Sequence, residues 1–202
     1  MKQKGLLLVI SGPSGCGKGT VMKELLSTSE NLFLSVSAAT RAPRPGEENG
    51  VHYYFMTKEQ FQEKLDAGEI LEYTCYCGNY YGTPKQPVID HCENGEDVIL
   101  EIEVEGAGNV CRQYPDAVSI FIMPPSMEEL ESRLINRQTE DMETVRRRLD
   151  TAREEMKLAK NYQYVVVNDT VEQAVEKIRA IIQAEKCRSQ RMDSFLTTMS
   201  EG

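Results

Sequence analysis

No stretch of this chain of 202 residues approaches the roughly 20 consecutive apolar residues needed to cross a bilayer. The apolar run GLLLVIS at 5–11 is too short for the core of a signal peptide, and it runs into glycines rather than a small-residue cleavage site. It reads as a buried strand, and the protein is expected to stay in the cytoplasm. A C-x-x-C pair is missing, and the two histidines, His52 and His91, stand far apart. The six cysteines (Cys16, Cys75, Cys77, Cys92, Cys111, Cys187) therefore read as reduced structural thiols rather than disulfides or zinc ligands. Basic residues are in deficit, 23 Lys and Arg against 32 Asp and Glu, for a net charge of −9. That balance excludes a general nucleic-acid surface, because phosphate backbones are held by basic patches. Internal repeats and low-complexity segments are lacking too. An acidic chain that handles phosphates must gather its few cations locally, so each cluster of arginines matters.

One cation sits in a diagnostic setting. SGPSGCGKGT at 11–20 nearly matches the phosphate-loop pattern G-x-x-x-x-G-K-[ST]. Gly12, Gly17 and Lys18 fit, whereas Gly19 occupies the hydroxyl position and Thr20 comes one place late. An apolar strand precedes the loop, and GTVMKELLSTS follows with Val21, Met22, Leu25 and Leu26 at helical spacing. Strand, glycine loop and helix together turn backbone N–H groups and the positive helix end toward an anion, and Lys18 adds a point charge for β- and γ-phosphates. Cys16, inside the loop at a helix N-terminus, has a setting that favours thiolate; the alternative is a small buried space-filler.

The rest of the chain alternates between two rhythms. From Phe33 to Gly95, FLSVSAAT and HYYFMT read as strands. TKEQFQEKLDAG reads as a short helix with a Thr57–Gln60 capping box and a terminating Gly68. ILEYTCYCGNYYGTP reads as a hairpin turning at Gly78-Asn79, with Cys75 and Cys77 on one face. Strands and helices then alternate. DVILEIEVEG is a strand, GAGNVCRQY a short helix and AVSIFIMPP a strand. A long helix from the Ser126–Glu129 capping box runs to about Tyr162, followed by the strand YQYVVVND and the helix TVEQAVEKIRAIIQAEKC. The expected class is α/β: a parallel-sheet core with a phosphate loop, an inserted mixed α+β subdomain and a helical lid. The final RSQRMDSFLTTMSEG lacks sustained periodicity and reads as a frayed tail.

A second cationic cluster lies in SAATRAPRPGEENGVHYYF, where Pro43 and Pro45 stiffen the backbone around Arg41 and Arg44. A pre-ordered arginine pair suits a dianionic phosphate, with Tyr53 and Tyr81 as further donors; the bland alternative is a solvated basic loop. GPSGCGKGT, SVSAATRAPRPGEENGVHYYF, GNYYGTP and PPSMEELESRL occur in this order at family spacing. In this combination, from residue 5 to about 186, the chain resembles guanylate kinase.

The resemblance implies transfer of the γ-phosphoryl group of ATP to GMP, in purine nucleotide recycling. It also implies a domain at 4–186: core 4–34 and 96–186, GMP-binding insert 35–95, lid about 134–150, and a flexible tail at 187–202. ATP would be held by Gly12, Pro13, Ser14, Gly15, Cys16, Gly17, Lys18, Gly19, Thr20 and Asn168. GMP phosphate would meet Arg41, Arg44, Tyr53 and Tyr81, with Glu47 holding the arginine loop. Guanine would be read by Ser37, Glu72, Thr83 and Glu101, beside Glu103. Lys18, Arg133, Arg137 and Arg148 would be the catalytic cations, Arg133 and Arg137 sharing a helix face, while Arg146 and Arg147 read as solvated charges. Mg²⁺ would be carried by the ATP phosphates and water with no direct protein ligand, which makes the Gly19 variant acceptable. GMP or dGMP and ATP are the implied partners, with no nucleic acid, membrane or obligate protein partner. Three departures stand out: Glu101 and Glu103 where aspartates are frequent, Glu105 where glutamine is usual, and Gln138 where glycine is common. The competing classes are a non-catalytic scaffold module, which typically loses the phosphate loop and stands beside other interaction domains, and a kinase for another monophosphate.

Overall fold

The computed structural model describes residues 3–135 and 142–200. The first part of the chain forms β1 (Leu7–Ser11), α1 (Lys18–Ser27), β2 (Leu32–Leu34), β3 (Ala38–Ala39) and β4 (Tyr54–Phe55). Next come α2 (Lys58–Asp66), β5 (Ile70–Tyr76), β6 (Asn79–Pro84), α3 (Lys85–Glu93), β7 (Asp97–Glu101) and α4 (Val104–Gln113). The last part holds β8 (Val118–Met123), α5 (Met127–Ile135), α6 (Met142–Lys157), β9 (Tyr164–Val167), α7 (Val171–Lys186) and α8 (Asp193–Ser200).

A five-stranded sheet in the order β2-β7-β1-β8-β9 is parallel throughout. Its strands are apolar on both faces because both faces are covered. Leu8 and Ile10 of β1 join Ile99, Ile120 and Ile122 against Val21, Leu25 and Ile178 of α1 and α7. Val9, one residue out of phase, packs with Val98 and Leu100 against Val88 of α3 and Ala107 and Val110 of α4. The chain thus places helices on both sides of a sheet whose central strand feeds the glycine loop. In such sheets the carboxyl ends of the strands form the ligand crevice.

A second sheet, β4-β3-β6-β5, is built wholly from residues between 38 and 84. Phe61 of α2, 1 % exposed, fills its core with Ala38 and Ile70 and stacks on Tyr80 at a centroid distance of 5.5 Å. The Thr57 hydroxyl accepts from Gln60 N–H, and the Gln60 side chain accepts from Thr57 N–H, closing the capping box expected there.

Several elements differ from the sequence-based expectation, each for a local reason. FLSVSAAT is two strands: β2 pairs with β7 in the large sheet, while β3 pairs with β4 and β6 in the small one. The hairpin turns at Cys77-Gly78, one residue earlier than expected, since Tyr76 pairs with Asn79. Both turn residues have positive φ, 48° and 72°, as a two-residue turn matched to the strand twist requires. Cys77 therefore leaves the strand and does not alternate with Cys75. EIEVEG stops being strand at Glu101, the last residue of β7, and Glu103 becomes the N-cap of α4. The expected single helix from 126 to 162 is α5, α6 and a 3₁₀ turn at Leu158–Asn161. Leu130 and Leu134 pack against Val145, Leu149 and Ala152, which residues this far apart on one straight helix cannot do. Helix α3 has little periodic signal in the sequence, because KQPVIDHCE carries a proline and few apolar residues. The stretch expected as a frayed tail carries a 3₁₀ turn at Ser189–Arg191 and α8.

Candidate active site

The phosphate loop leaves β1 and enters α1 through Gly17, whose φ of 90° is left-handed. Around it three elements converge. Asn168, 3 % exposed at the end of β9, donates from Nδ2 to the Cys16 carbonyl at 2.8 Å. Arg133, in the last turn of α5, donates to the carbonyls of Cys16 (3.3 Å) and Asn168 (3.2 Å) and is steadied by Glu129 at 2.8 Å. Arg148 of α6 donates to the Ser14 hydroxyl at 2.6 Å. Lys18 folds back so that its Nζ donates to the carbonyls of Gly12 and Pro13. Three cations are thus collected on one loop. Arg137 and Gln138 lie outside the described residues.

Two features of the loop answer questions left by the motif. A Cβ at Gly19 would meet nothing within 4 Å, so glycine there is not demanded by space. Cys16 is fully buried, and burial pushes its thiol up against the opposing pull of Lys18. The space-filler reading holds, and the reactive-thiolate reading does not. A helix N-terminus favours thiolate only where the sulfur is solvated enough to carry charge.

The arginine loop is an ordered ion pair. Both guanidinium nitrogens of Arg41 donate to the Glu47 carboxylate, at 2.6 and 2.7 Å, and Glu47 also accepts from Arg44 N–H at 2.7 Å. These bonds hold the Glu47 carboxyl down at about 2. The guanidinium also lies over the rings of Tyr53 (5.0 Å) and Phe55 (5.4 Å), and Tyr53 stands edge-on to Tyr81 at 6.2 Å. Arg44 is exposed. Phe55 is an unforeseen member, since its aromatic ring reads equally well as core.

Glu72 on β5 and Thr83 on β6 are cross-strand partners, 6 % and 1 % exposed. The Thr83 hydroxyl donates to Glu72 Oε1 at 2.7 Å. Burial pushes the Glu72 carboxyl up, partly offset by that hydrogen bond. Ser37, just ahead of β3, accepts Tyr54 N–H on its carbonyl at 2.8 Å. Glu101 ends β7; burial raises its carboxyl, the Lys18 charge lowers it and Glu103 raises it.

Glu155 of α6 is a member that nothing in its polar helical run announces. Burial and the neighbouring Glu103 raise its carboxyl, while Lys18 and the Ser14 N–H pull it down. The arrangement can hold a triphosphate on the loop, a monophosphate by the arginine pair, and a base with donor edges at Glu72.

A family model described as guanylate kinase matches residues 4–185. The chain is 52% identical over 200 residues to a guanylate kinase of Clostridium tetani, spanning 99% of this chain and 96% of that one. It is 51% identical to one of Halalkalibacterium halodurans, spanning 95% and 94% respectively. Among solved structures, guanylate kinase from Anaplasma phagocytophilum superposes with a TM-score of 0.76 at 38% identity, covering 94% of this chain and 90% of that one. With its phosphate loop, its parallel sheet and relatives matched end to end, the chain belongs to the guanylate kinase family of nucleoside-monophosphate kinases.

Proposed function

We propose that this protein is a cytoplasmic enzyme that transfers the γ-phosphoryl group of ATP to GMP, giving ADP and GDP. The observation that carries the substrate assignment is the buried Glu72–Thr83 pair on the hairpin that also bears Tyr81. Guanine offers N1–H and the 2-amino group beside the O6 acceptor. Glu72 and Glu101 accept from those donors, the Ser37 hydroxyl serves the O6 side, and Thr83 stands beside the base with its hydroxyl proton given to Glu72. Arg41, Arg44, Tyr53 and Tyr81 hold the GMP phosphate, and Glu47 keeps the two arginine segments in register.

The loop amides, Lys18 and Thr20 hold the ATP phosphates, with Asn168 fixing the loop from behind. Lys18, Arg133, Arg137 and Arg148 neutralise the moving phosphoryl group; positioning and charge do most of the work in such transfers. Arg148 exchanges the Ser14 hydroxyl for phosphate oxygen as α6 closes on the loop and excludes water. The attacking GMP oxygen is already anionic, so no side chain need remove a proton. Magnesium would enter on the ATP phosphates with its own water rather than on a protein cage, in keeping with the described residues, which hold no cluster of three or more acidic, histidine or cysteine ligands. When bound it supplies charge neutralisation at the phosphates.

A coupled ADP-release assay against GMP, dGMP, AMP, UMP and dTMP tests the reading. GMP and dGMP are expected to exceed AMP by about 10⁴ in kcat/KM, because AMP leaves a buried carboxylate facing an acceptor. AMP turnover within tenfold of GMP would overturn the assignment of the base.

A further inference from the structure

We infer that Gly106 governs base specificity as a positioning residue, by leaving unfilled the space into which the Glu72 carboxylate is seated. The inference rests on the reading of Glu72 as the base-reading carboxylate. Gly106 lies in the first turn of α4, directly beyond the strand that ends in Glu101, whereas Glu72 belongs to the small sheet. The two meet where α4 packs on β5. A Cβ built on Gly106 would stand 2.5 Å from Glu72 Oε2 and 3.4 Å from its carboxyl carbon. Its next neighbour, Ile102 Cδ1, is at an ordinary 3.7 Å. The obstruction is therefore the carboxylate itself.

Glycine inside a helix is a poorer helix former than alanine, so its presence needs a reason. Gly108, two residues on in the same helix, shows the contrast. A Cβ there would find only Arg112 Nη1, at 4.0 Å. Space is critical at one of these two glycines and open at the other. Since the atom met at Gly106 is the far end of a flexible side chain, the fold can absorb a methyl group by moving the carboxylate. That movement, on the order of 1 Å, breaks the alignment with Thr83 and with the base, and misplacements of this size cost about 10²-fold in well-oriented sites. Glu72 is thus held from two sides, by the Thr83 hydroxyl on Oε1 and by the bare helix backbone against Oε2.

The test compares Gly106→Ala, Gly108→Ala, Glu72→Asp, Glu72→Gln and the double variant Gly106→Ala/Glu72→Asp for KM and kcat with GMP and ATP, for GMP:AMP preference and for melting temperature. Gly106→Ala is expected to raise the GMP KM by about tenfold or more and to narrow the GMP:AMP ratio. The ATP KM and the melting temperature should stay close to those of Gly108→Ala. Shortening the acid by one methylene removes the collision, so in the Glu72→Asp background the same alanine should cost less than about threefold, as independent sites do not. Equal cost in both backgrounds, or no effect of Gly106→Ala beside a strong effect of Glu72→Gln, overturns the positioning role. If Glu72→Gln leaves the GMP:AMP ratio untouched, the base-reading assignment falls first. Should Gly106→Ala fail to fold, the double variant decides: folding with a GMP KM near that of Glu72→Asp supports the role, and failure to fold overturns it.

Discussion

Arg41 and Glu72 show what burial and partners do to single side chains. The Arg41 guanidinium is already paired with Glu47 and flanked by two rings, so its orientation is set before any phosphate arrives. Replacing Arg41 with Met removes a charge-assisted contact of roughly 1.5–3 kcal/mol and frees Glu47. The GMP KM should rise at least tenfold with the ATP KM nearly unchanged; equal loss on both sides would mean that Arg41 supports the fold instead. Acidification should act through Glu72. Its raised carboxyl protonates above the ordinary carboxylate range as pH falls, and the neutral acid accepts poorly from guanine N1–H. Glu47, lowered to about 2, contributes its loop-holding bonds above the ordinary carboxylate value and loses them only as pH falls through about 2. The arginine loop therefore stays intact while Glu72 titrates. The GMP phosphate has its own ionisation near pH 6, roughly, which is common to every variant. The GMP KM of the wild-type protein should thus climb more steeply below neutrality than that of Glu72→Gln. Parallel profiles would remove Glu72 from the pH dependence.

At the scale of elements, α2 shows how a local device stabilises a functional surface. Its capping box satisfies two backbone donors, and its Phe61 props the sheet that carries Tyr81 and Thr83. Thr57→Ala should lower unfolding stability by about 1 kcal/mol, read from the denaturant midpoint. Activity with GMP at saturating substrate should persist, because Thr57 touches nothing in the site. An unchanged midpoint would mean that the cap is idle. The pair α5 and α6 makes the same point for the lid side. Its own apolar cluster of Leu130, Leu134, Val145 and Leu149 lets Arg133 and Arg148 approach the loop from two directions.

At the scale of the molecule, all six cysteines are free thiols, and their exposure sorts them. Cys75, Cys77 and Cys187 are exposed, Cys111 is half-buried, and Cys16 and Cys92 are buried, with burial raising both thiols. Brief iodoacetamide treatment followed by mass-spectrometric mapping should mark the three exposed thiols well before Cys16 and Cys92. Preferential labelling of Cys16 in the folded protein would contradict the packing of the phosphate loop. Against a net charge of −9, Lys18, Arg133 and Arg148 are gathered on the phosphate loop and Arg41 is paired with Glu47 in the arginine segment.

Periodicity and motif were enough for the α/β alternation, the phosphate loop, the capping box at Thr57 and the arginine pair, because each is a property of neighbouring residues. The paired signatures around Arg41 and Tyr81 were likewise readable as a family resemblance. What lay beyond the sequence was set by contacts between distant segments. FLSVSAAT divides between two sheets because its first residues, to Leu34, pair with β7 while Ala38 and Ala39 pair with β6. The helix after Ser126 folds back on itself because its two apolar stripes bury each other. Cys16 is buried because it packs into the cluster of Leu8, Ile10 and Val21, a packing that no property of the loop itself predicts. Gly106 and Glu72 are 34 residues apart, and only the docking of α4 on β5 brings a missing side chain on one to the carboxylate of the other.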